Sequence, residues 1–214
     1  MKVFKKITAA VTAATMLACG NINVLPKEAV RDFMLSASAE NADIVASGEC
    51  GENVTWTFDD NRTLTISGTG PMETVAFGIP EWKEWRSDIK KVVIEDGVTA
   101  ISTTAFNGCP MSEIEIADSV ESIGRFAFGN CIFLTELVLP EGLKEISLYA
   151  FTGCDLLTSV TIPENVSVIE DGIFYGCMSL TEIDVNEKNK NYTSVDGVLY
   201  TKDMTQLVAY PVGK

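Results

Sequence analysis

A short β-prone triplet recurs through the second half of this 214-residue chain. It begins at Val92, Ile114, Leu137, Val160 and Ile183, in steps of 22, 23, 23 and 23 residues. The units agree at further positions. Six residues after each of the first four starts stands Val98, Val120, Leu143 or Val166, and nine after stands Ile101, Ile123, Ile146 or Ile169. Fourteen after comes Phe106, Phe128, Phe151 or Phe174, and seventeen after comes Cys109, Cys131, Cys154 or Cys177. A repeat of this length specifies a solenoid with one coil per unit, because no single coil buries its own apolar wall and stacked coils do.

Each offset has a physical reading. In Val92-Val93-Ile94 or Ile114-Glu115-Ile116 the first and third residues point inward and the middle one meets solvent. Stacked coils then set the triplets side by side as a parallel sheet. Ala105-Phe106, Ala127-Phe128, Ala150-Phe151 and Ile173-Phe174 supply a bulky ring and a smaller neighbour for the opposite wall. Just before each Cys stands Gly108, Asn130, Gly153 or Gly176, residue types that tolerate positive φ, so a tight reversal is expected there. Pro140 and Pro163 follow their triplets directly and end those strands, since proline cannot donate to a ladder. The expected fold class is an α/β-type repeat solenoid: a parallel β-sheet on one face, short helical or irregular turns opposite, and an N-terminal β cap.

A solenoid exposes raw coil at its ends unless something covers it. Upstream, Val54–Phe58 and Thr63–Ser67 alternate around Asp59-Asp60-Asn61-Arg62, the pattern of a hairpin, and Pro80–Trp85 reads as one or two helical turns. Downstream the fifth unit departs from the pattern at Asn189 and Tyr192, and Val195–Tyr200 with Gln206–Tyr210 reads as a closing hairpin. The expected organisation is residues 1–39 as a leader, 40–88 as the N-terminal cap, 89–193 as repeats of 22–23 residues, and 194–214 as a hairpin cap or the start of a truncated repeat.

The leader reading rests on the basic start Met1–Lys6 followed by the small and apolar run Ile7–Ala18, the layout of a secretory signal. Two endings fit: Ala37-Ser38-Ala39 as a cleavage site before Glu40, or Met16-Leu17-Ala18-Cys19 as a loose lipoprotein box with anchoring at Cys19. The expected location is therefore secreted or cell-surface, with no membrane-spanning segment in the mature chain. The chain carries 16 basic and 30 acidic residues, a net charge of −14, and no histidine. That balance disfavours sequence-independent binding to nucleic acid or anionic lipid, and the missing imidazole removes Ser-His-Asp, Cys-His and His-metal chemistry.

The units Ala105-Phe106-Asn107-Gly108-Cys109 through Ile114-Glu115-Ile116, and Ala150-Phe151-Thr152-Gly153-Cys154 through Val160-Thr161-Ile162-Pro163, resemble the BspA-like class of bacterial leucine-rich repeats. The segment from Ser47-Gly48-Glu49-Cys50 through Leu64-Thr65-Ile66-Ser67-Gly68-Thr69-Gly70 is similar to the leader that often precedes such arrays. The resemblance implies a secreted or surface-attached recognition protein, in some members an adhesin, with no catalytic residues.

Candidate sites follow from the coil geometry. Glu95, Glu113, Glu115, Glu136, Thr161, Glu182 and Asp184 fall at outward positions on the strands, a face roughly 20 Å wide over five strands. They form the candidate binding surface for an extracellular protein or glycan. Trp82 and Trp85 are weaker candidates for stacking on sugar rings, the competing reading being that they cover the first coil. Cys109, Cys131, Cys154 and Cys177 stack about 5 Å apart as a structural ladder. Partial disulfide pairing stays open on distance, whereas a line of thiols does not surround an ion tetrahedrally, so no metal or cofactor is expected. The expected function is non-catalytic recognition or adhesion through the sheet face, with a structural scaffold or a polysaccharide-capturing module as alternatives.

Overall fold

Three antiparallel strands come first: β1 (Ile44–Gly51), β2 (Val54–Asp59) and β3 (Thr63–Gly68). The computed structural model describes residues 42–73 and 80–214, so the leader expected over 1–39 lies outside the described residues. Period-two alternation turns Val54, Trp56 and Phe58 of β2 and Leu64 and Ile66 of β3 inward. Asp59 makes the β2–β3 reversal: its carboxylate accepts the Thr63 N–H at 2.8 Å, and Arg62 takes φ 64°.

The strands that follow belong to two sheets: β4 (Gly70–Pro71), β5 (Lys91–Ile94), β6 (Val98–Ile101), β7 (Glu113–Ile116), β8 (Ser122–Ile123), β9 (Glu145–Ile146), β10 (Ser159–Ile162), β11 (Val168–Ile169) and β12 (Glu182–Val185). The first sheet runs β1-β2-β3-β5-β7 and resumes as a separate pair β10-β12; the second runs unbroken as β4-β6-β8-β9-β11. β3 serves both styles of pairing. It is antiparallel to β2 and parallel to β5, with Leu64 opposite Val92 and Ile66 opposite Ile94. The hairpin thus supplies the first strand of the stack, and the coil edge at Val92–Ile94 is not exposed.

That second parallel sheet is a wall the sequence reading did not foresee, and the one helical turn among the described residues is a 3-10 turn at Arg86–Asp88. Its ladder joins the repeated isoleucines: Ile101 opposite Ile123, Ile123 opposite Ile146, Ile146 opposite Ile169. The turns occupy a third wall and also bond coil to coil. Phe106, Phe128 and Phe151 N–H groups donate to Ala127, Ala150 and Ile173 carbonyls at 2.8, 2.8 and 2.9 Å. Gly108, Asn130, Gly153 and Gly176 have φ of 71°, 56°, 68° and 76°, as their positions before each Cys led us to expect. A second left-handed position recurs at Thr104, Phe126, Tyr149 and Gly172, with φ of 56°, 50°, 57° and 66°, and a glycine fills it in the last of these alone.

Inside, the rings stack along the axis. Trp82, Phe106, Phe128, Phe151 and Phe174 lie with successive centroids 5.6, 5.3, 5.4 and 5.7 Å apart, all within 21° of parallel. The four ladder cysteines are free and fully buried. They do more than fill space. Cys131, Cys154 and Cys177 each donate Sγ–H to the carbonyl of the preceding coil's Phe106, Phe128 or Phe151, at 3.2, 3.3 and 3.1 Å. Burial pushes the Cys109 thiol up to about 12.

The triplet Leu137–Leu139 departs from expectation: it joins no ladder. Leu137 and Leu139 are buried as the pattern requires, yet neither link, to β7 upstream or to β10 downstream, is hydrogen bonded. Intact links are clamped just past the strand by an N–H reaching back one coil: Glu95 to Ile66, Ala117 to Ile94 and Asn186 to Ile162, at 2.9, 3.0 and 2.9 Å. The two broken links are those whose clamp residue is Pro140 or Pro163, which has no N–H.

The far end is closed by a change of chemistry. Asn189 stands where earlier coils have Val or Leu and is 1% exposed. Its amide donates to Pro163 and Val166 carbonyls at 2.7 and 3.1 Å, and its oxygen accepts the Asn191 and Tyr192 N–H groups, both at 2.8 Å. The Tyr192 hydroxyl accepts the β11 N–H of Ile169 at 2.9 Å, occupying the edge where another strand would add. A meander of β13 (Tyr192–Val195), β14 (Val198–Thr201) and β15 (Leu207–Ala209) then covers β12, with Ile183 N–H bonded to Gly197 and Ser194 Oγ bonded to Ile183 O.

Candidate functional site

The first sheet presents one solvent face, and the parallel register sets its order. Lys91 faces Glu113 and Val93 faces Glu115 across β5 and β7; Ser159 faces Glu182 and Thr161 faces Asp184 across β10 and β12. Glu95, Glu113, Glu115, Glu136, Thr161, Glu182 and Asp184 are all exposed. The broken triplet divides these residues into two groups, with Glu136 beside the break.

The groups differ in charge. Lys91 Nζ lies 2.6 Å from Glu115 Oε1, a diagonal pair across one coil step. The other ion pair among the described residues, Lys144–Glu121, joins neighbouring coils away from this face. Glu95, Glu113, Glu136, Glu182 and Asp184 have no ion-pair partner among the described residues; Lys91 offsets one of the N-terminal acids, and no ion pair offsets the C-terminal ones. An exposed pair such as Lys91–Glu115 contributes about 0.2–1 kcal/mol, so its main effect is on the face's potential rather than on stability.

At the break lies a cleft of about 210 Å³, lined by Leu137, Val138, Leu139, Glu141, Ser159, Val160, Thr161, Pro163 and Asn186. Val138 is 80% exposed there. Of the residues singled out from sequence, Thr161 lines this cleft. The cleft itself was not foreseen; its signal in the sequence is the pair of prolines at corresponding places in successive units.

The tryptophans lie elsewhere. Trp82 is 1% exposed, with its ring stacked on Phe106 and edge-on to Trp56, and Trp85 is half-buried against Trp56 and Phe58. They join the cap to the first coil, and Trp82 offers no free ring face. No group of His, Cys, Asp or Glu among the described residues is arranged to hold a metal ion.

Comparison with known proteins matches this geometry. Residues 84–195 match the family model "BspA type Leucine rich repeat region" in 6 copies. The chain belongs to the BspA-type leucine-rich repeat family, whose members are typically non-enzymatic surface or secreted proteins. A crystal structure of a leucine-rich repeat protein from Eubacterium ventriosum is similar at 30% identity and a TM-score of 0.63, covering 79% of this chain and 51% of that one. The pneumococcal vaccine antigen PcpA shares the fold at 20% identity and a TM-score of 0.50, covering 80% of this chain and 57% of that one. The chain thus spans about half the length of these structures. No curated protein matches it. No helix among the described residues is long and apolar enough to cross a membrane.

Proposed function

We propose that the repeat array is a non-catalytic recognition module at the cell exterior, binding a macromolecular partner through the exposed face of the first sheet. The observation that carries this reading is the acidic surface without ion pairs formed by Glu182 and Asp184 on the laddered strand β12 and by Glu136 beside the break. Leucine-rich repeats commonly bind proteins, and an open face of five coils suits an extended protein surface better than a small metabolite. Export through the leader at residues 1–39 belongs to the same proposal. The partner's complementary surface is basic or polar, and the attraction weakens with salt.

The test is capture of the full chain on immobilised extracellular-matrix proteins, mucin and polysaccharides at low and high salt, beside a variant carrying Glu182→Lys and Asp184→Lys. Salt-weakened binding to a protein that the variant loses, with unchanged circular dichroism, is the expected result. Binding that the variant retains moves recognition off this face. Self-assembly without capture favours a scaffold instead.

A further inference from the structure

The interruption of the first sheet has a chemical character of its own. Leu137, Val138 and Leu139 make no main-chain hydrogen bond to any of the described residues, while every other coil of the first sheet is laddered to a neighbour. A ladder gap of this kind leaves carbonyls and N–H groups available to a ligand. Here the gap coincides with the cleft of about 210 Å³, whose lining combines three kinds of group. Leu137, Val138, Leu139, Val160 and Pro163 give apolar wall; Ser159, Thr161 and Asn186 give short polar side chains; Glu141 gives a carboxylate.

The size excludes most occupants. Sites for drug-sized ligands measure about 300–1,000 Å³, so this cleft accepts one long side chain of a partner rather than a free metabolite. The charge selects among side chains. Glu141 has no ion-pair partner among the described residues, and neither has Glu136, Glu182 or Asp184 on the same face. An anionic occupant is repelled, and a purely aliphatic one leaves the carboxylate and main-chain carbonyls without gain. A side chain with an apolar stem and a cationic head with several donors suits the groups present: the stem lies along the exposed Val138 while the head reaches Glu141 and the free carbonyls. A planar guanidinium serves several acceptors at once, which an ammonium does less well.

We propose that this cleft seats an arginine side chain of a protein partner, as the anchoring pocket of the sheet-face interaction; the assignment rests on that recognition reading. Anchors of this type, a desolvated arginine in a central pocket, carry most of the energy of many interfaces. The two prolines therefore have a functional consequence, since they keep the ladder open at the one coil where a partner's side chain enters.

The test is an NMR titration of the full-length chain with N-acetyl-arginine amide, using N-acetyl-citrulline amide as the uncharged probe of the same shape. The expected result is saturable shifts of the Leu137, Val138, Leu139, Thr161 and Asn186 amides by the arginine probe, with a dissociation constant on the order of 1 mM. The citrulline probe and a Glu141→Gln variant should each bind at least about tenfold more weakly, the loss for one charged contact. A Thr161→Phe variant, which fills the cleft from an exposed position, should abolish the shifts. Equal shifts by both probes overturn the proposal, as does an unsaturated drift spread evenly over Glu95, Glu113 and Glu182. Drift alone leaves the acidic face able to attract a basic partner, so the two readings fail separately. Absence of any shift also overturns the pocket, while capture of a partner on the immobilised panel tests the face independently.

Discussion

Replacing Asn189 with valine restores the repeat pattern, and it should nevertheless destabilise the protein. Four preceding coils carry Val98, Val120, Leu143 and Val166 at this position, so a consensus argument favours the substitution. The bonding argues the opposite. Asn189 satisfies two carbonyls, Pro163 and Val166, and two N–H groups, Asn191 and Tyr192, all at 2.7–3.1 Å and at 1% exposure. Losing four buried bonds at about 1 kcal/mol each costs about 4 kcal/mol. Burying the valine side chain returns about 1.5 kcal/mol. The net is a loss of about 2.5 kcal/mol, or roughly 5–10 °C in melting temperature for a chain of this size. Urea denaturation of the full chain followed by circular dichroism reads the free energy, and hydrogen exchange at Asn191 and Tyr192 locates it. Both amides should lose protection in Asn189→Val. Stability at or above the parent protein would refute the reasoning, because it would mean that the last coil needs apolar fill and not a polar terminus.

Four further outcomes follow from other parts of the stack. The Cys50 and Cys109 thiols are pushed up to about 12 by burial, so each stays neutral when folded while the unfolded thiol ionises near 9. Stability is then intact below pH 9 and lost between pH 9 and 12, by about 1.4 kcal/mol per thiol at pH 10; Cys109→Ala should flatten that slope in denaturation curves taken from pH 8 to 11. Pro140→Ala with Pro163→Ala returns both missing clamps, so the Leu137, Val138 and Leu139 amides, expected to exchange rapidly in the parent, should slow at least tenfold in the double variant. Gly172→Ala should cost about 2 kcal/mol or more in thermal denaturation, because its Cβ would lie 2.3 Å from the Tyr149 ring on a backbone with φ of 66°. Finally, Glu115→Lys should weaken partner capture less than Asp184→Lys at equal salt, since Lys91 already pairs with Glu115 and Asp184 has no ion-pair partner among the described residues.

Most of the coil was legible because burial on all sides leaves little freedom. Ile123 pairs with Ile101 and Ile146, Phe128 stacks on Phe106 and Phe151, and Cys131 bonds back to the Phe106 carbonyl, so a change in one unit is felt in its neighbours and the spacing is kept. The second sheet was not legible. Strands of two residues such as Ser122–Ile123 and Glu145–Ile146 are too short for alternation to register, and they are recognised only by the neighbour they pair with. The left-handed backbone at Phe126 and Tyr149 was hidden for another reason. The stack compels that conformation through coil-to-coil bonds to Leu148 and Asp171, whatever the residue's own preference. Of the site, the exposed acids could be placed from the triplet alternation alone. The Lys91–Glu115 pair follows only once the parallel register is known, because a shift by one residue would put these side chains on opposite sides of the sheet.

The two prolines show where local chemistry overrides a strong repeat. Leu137 and Leu139 obey the pattern and are buried, which keeps the coil in place through the apolar core, the stacked Phe128 and Phe151 and the continuous second sheet. With three walls holding each coil, the first sheet can lose its bonds at one coil without the stack parting. That redundancy is what permits an opening on the face of an otherwise closed structure. In a fold held by a single sheet, two consecutive unbonded links would divide the molecule; here they leave a cleft beside Glu136, between the half of the acidic surface that holds the Lys91–Glu115 pair and the half with no ion pair among the described residues. The cleft and the charge are separable by mutation, since restoring the N–H at the two prolines changes the ladder and leaves every carboxylate where it was.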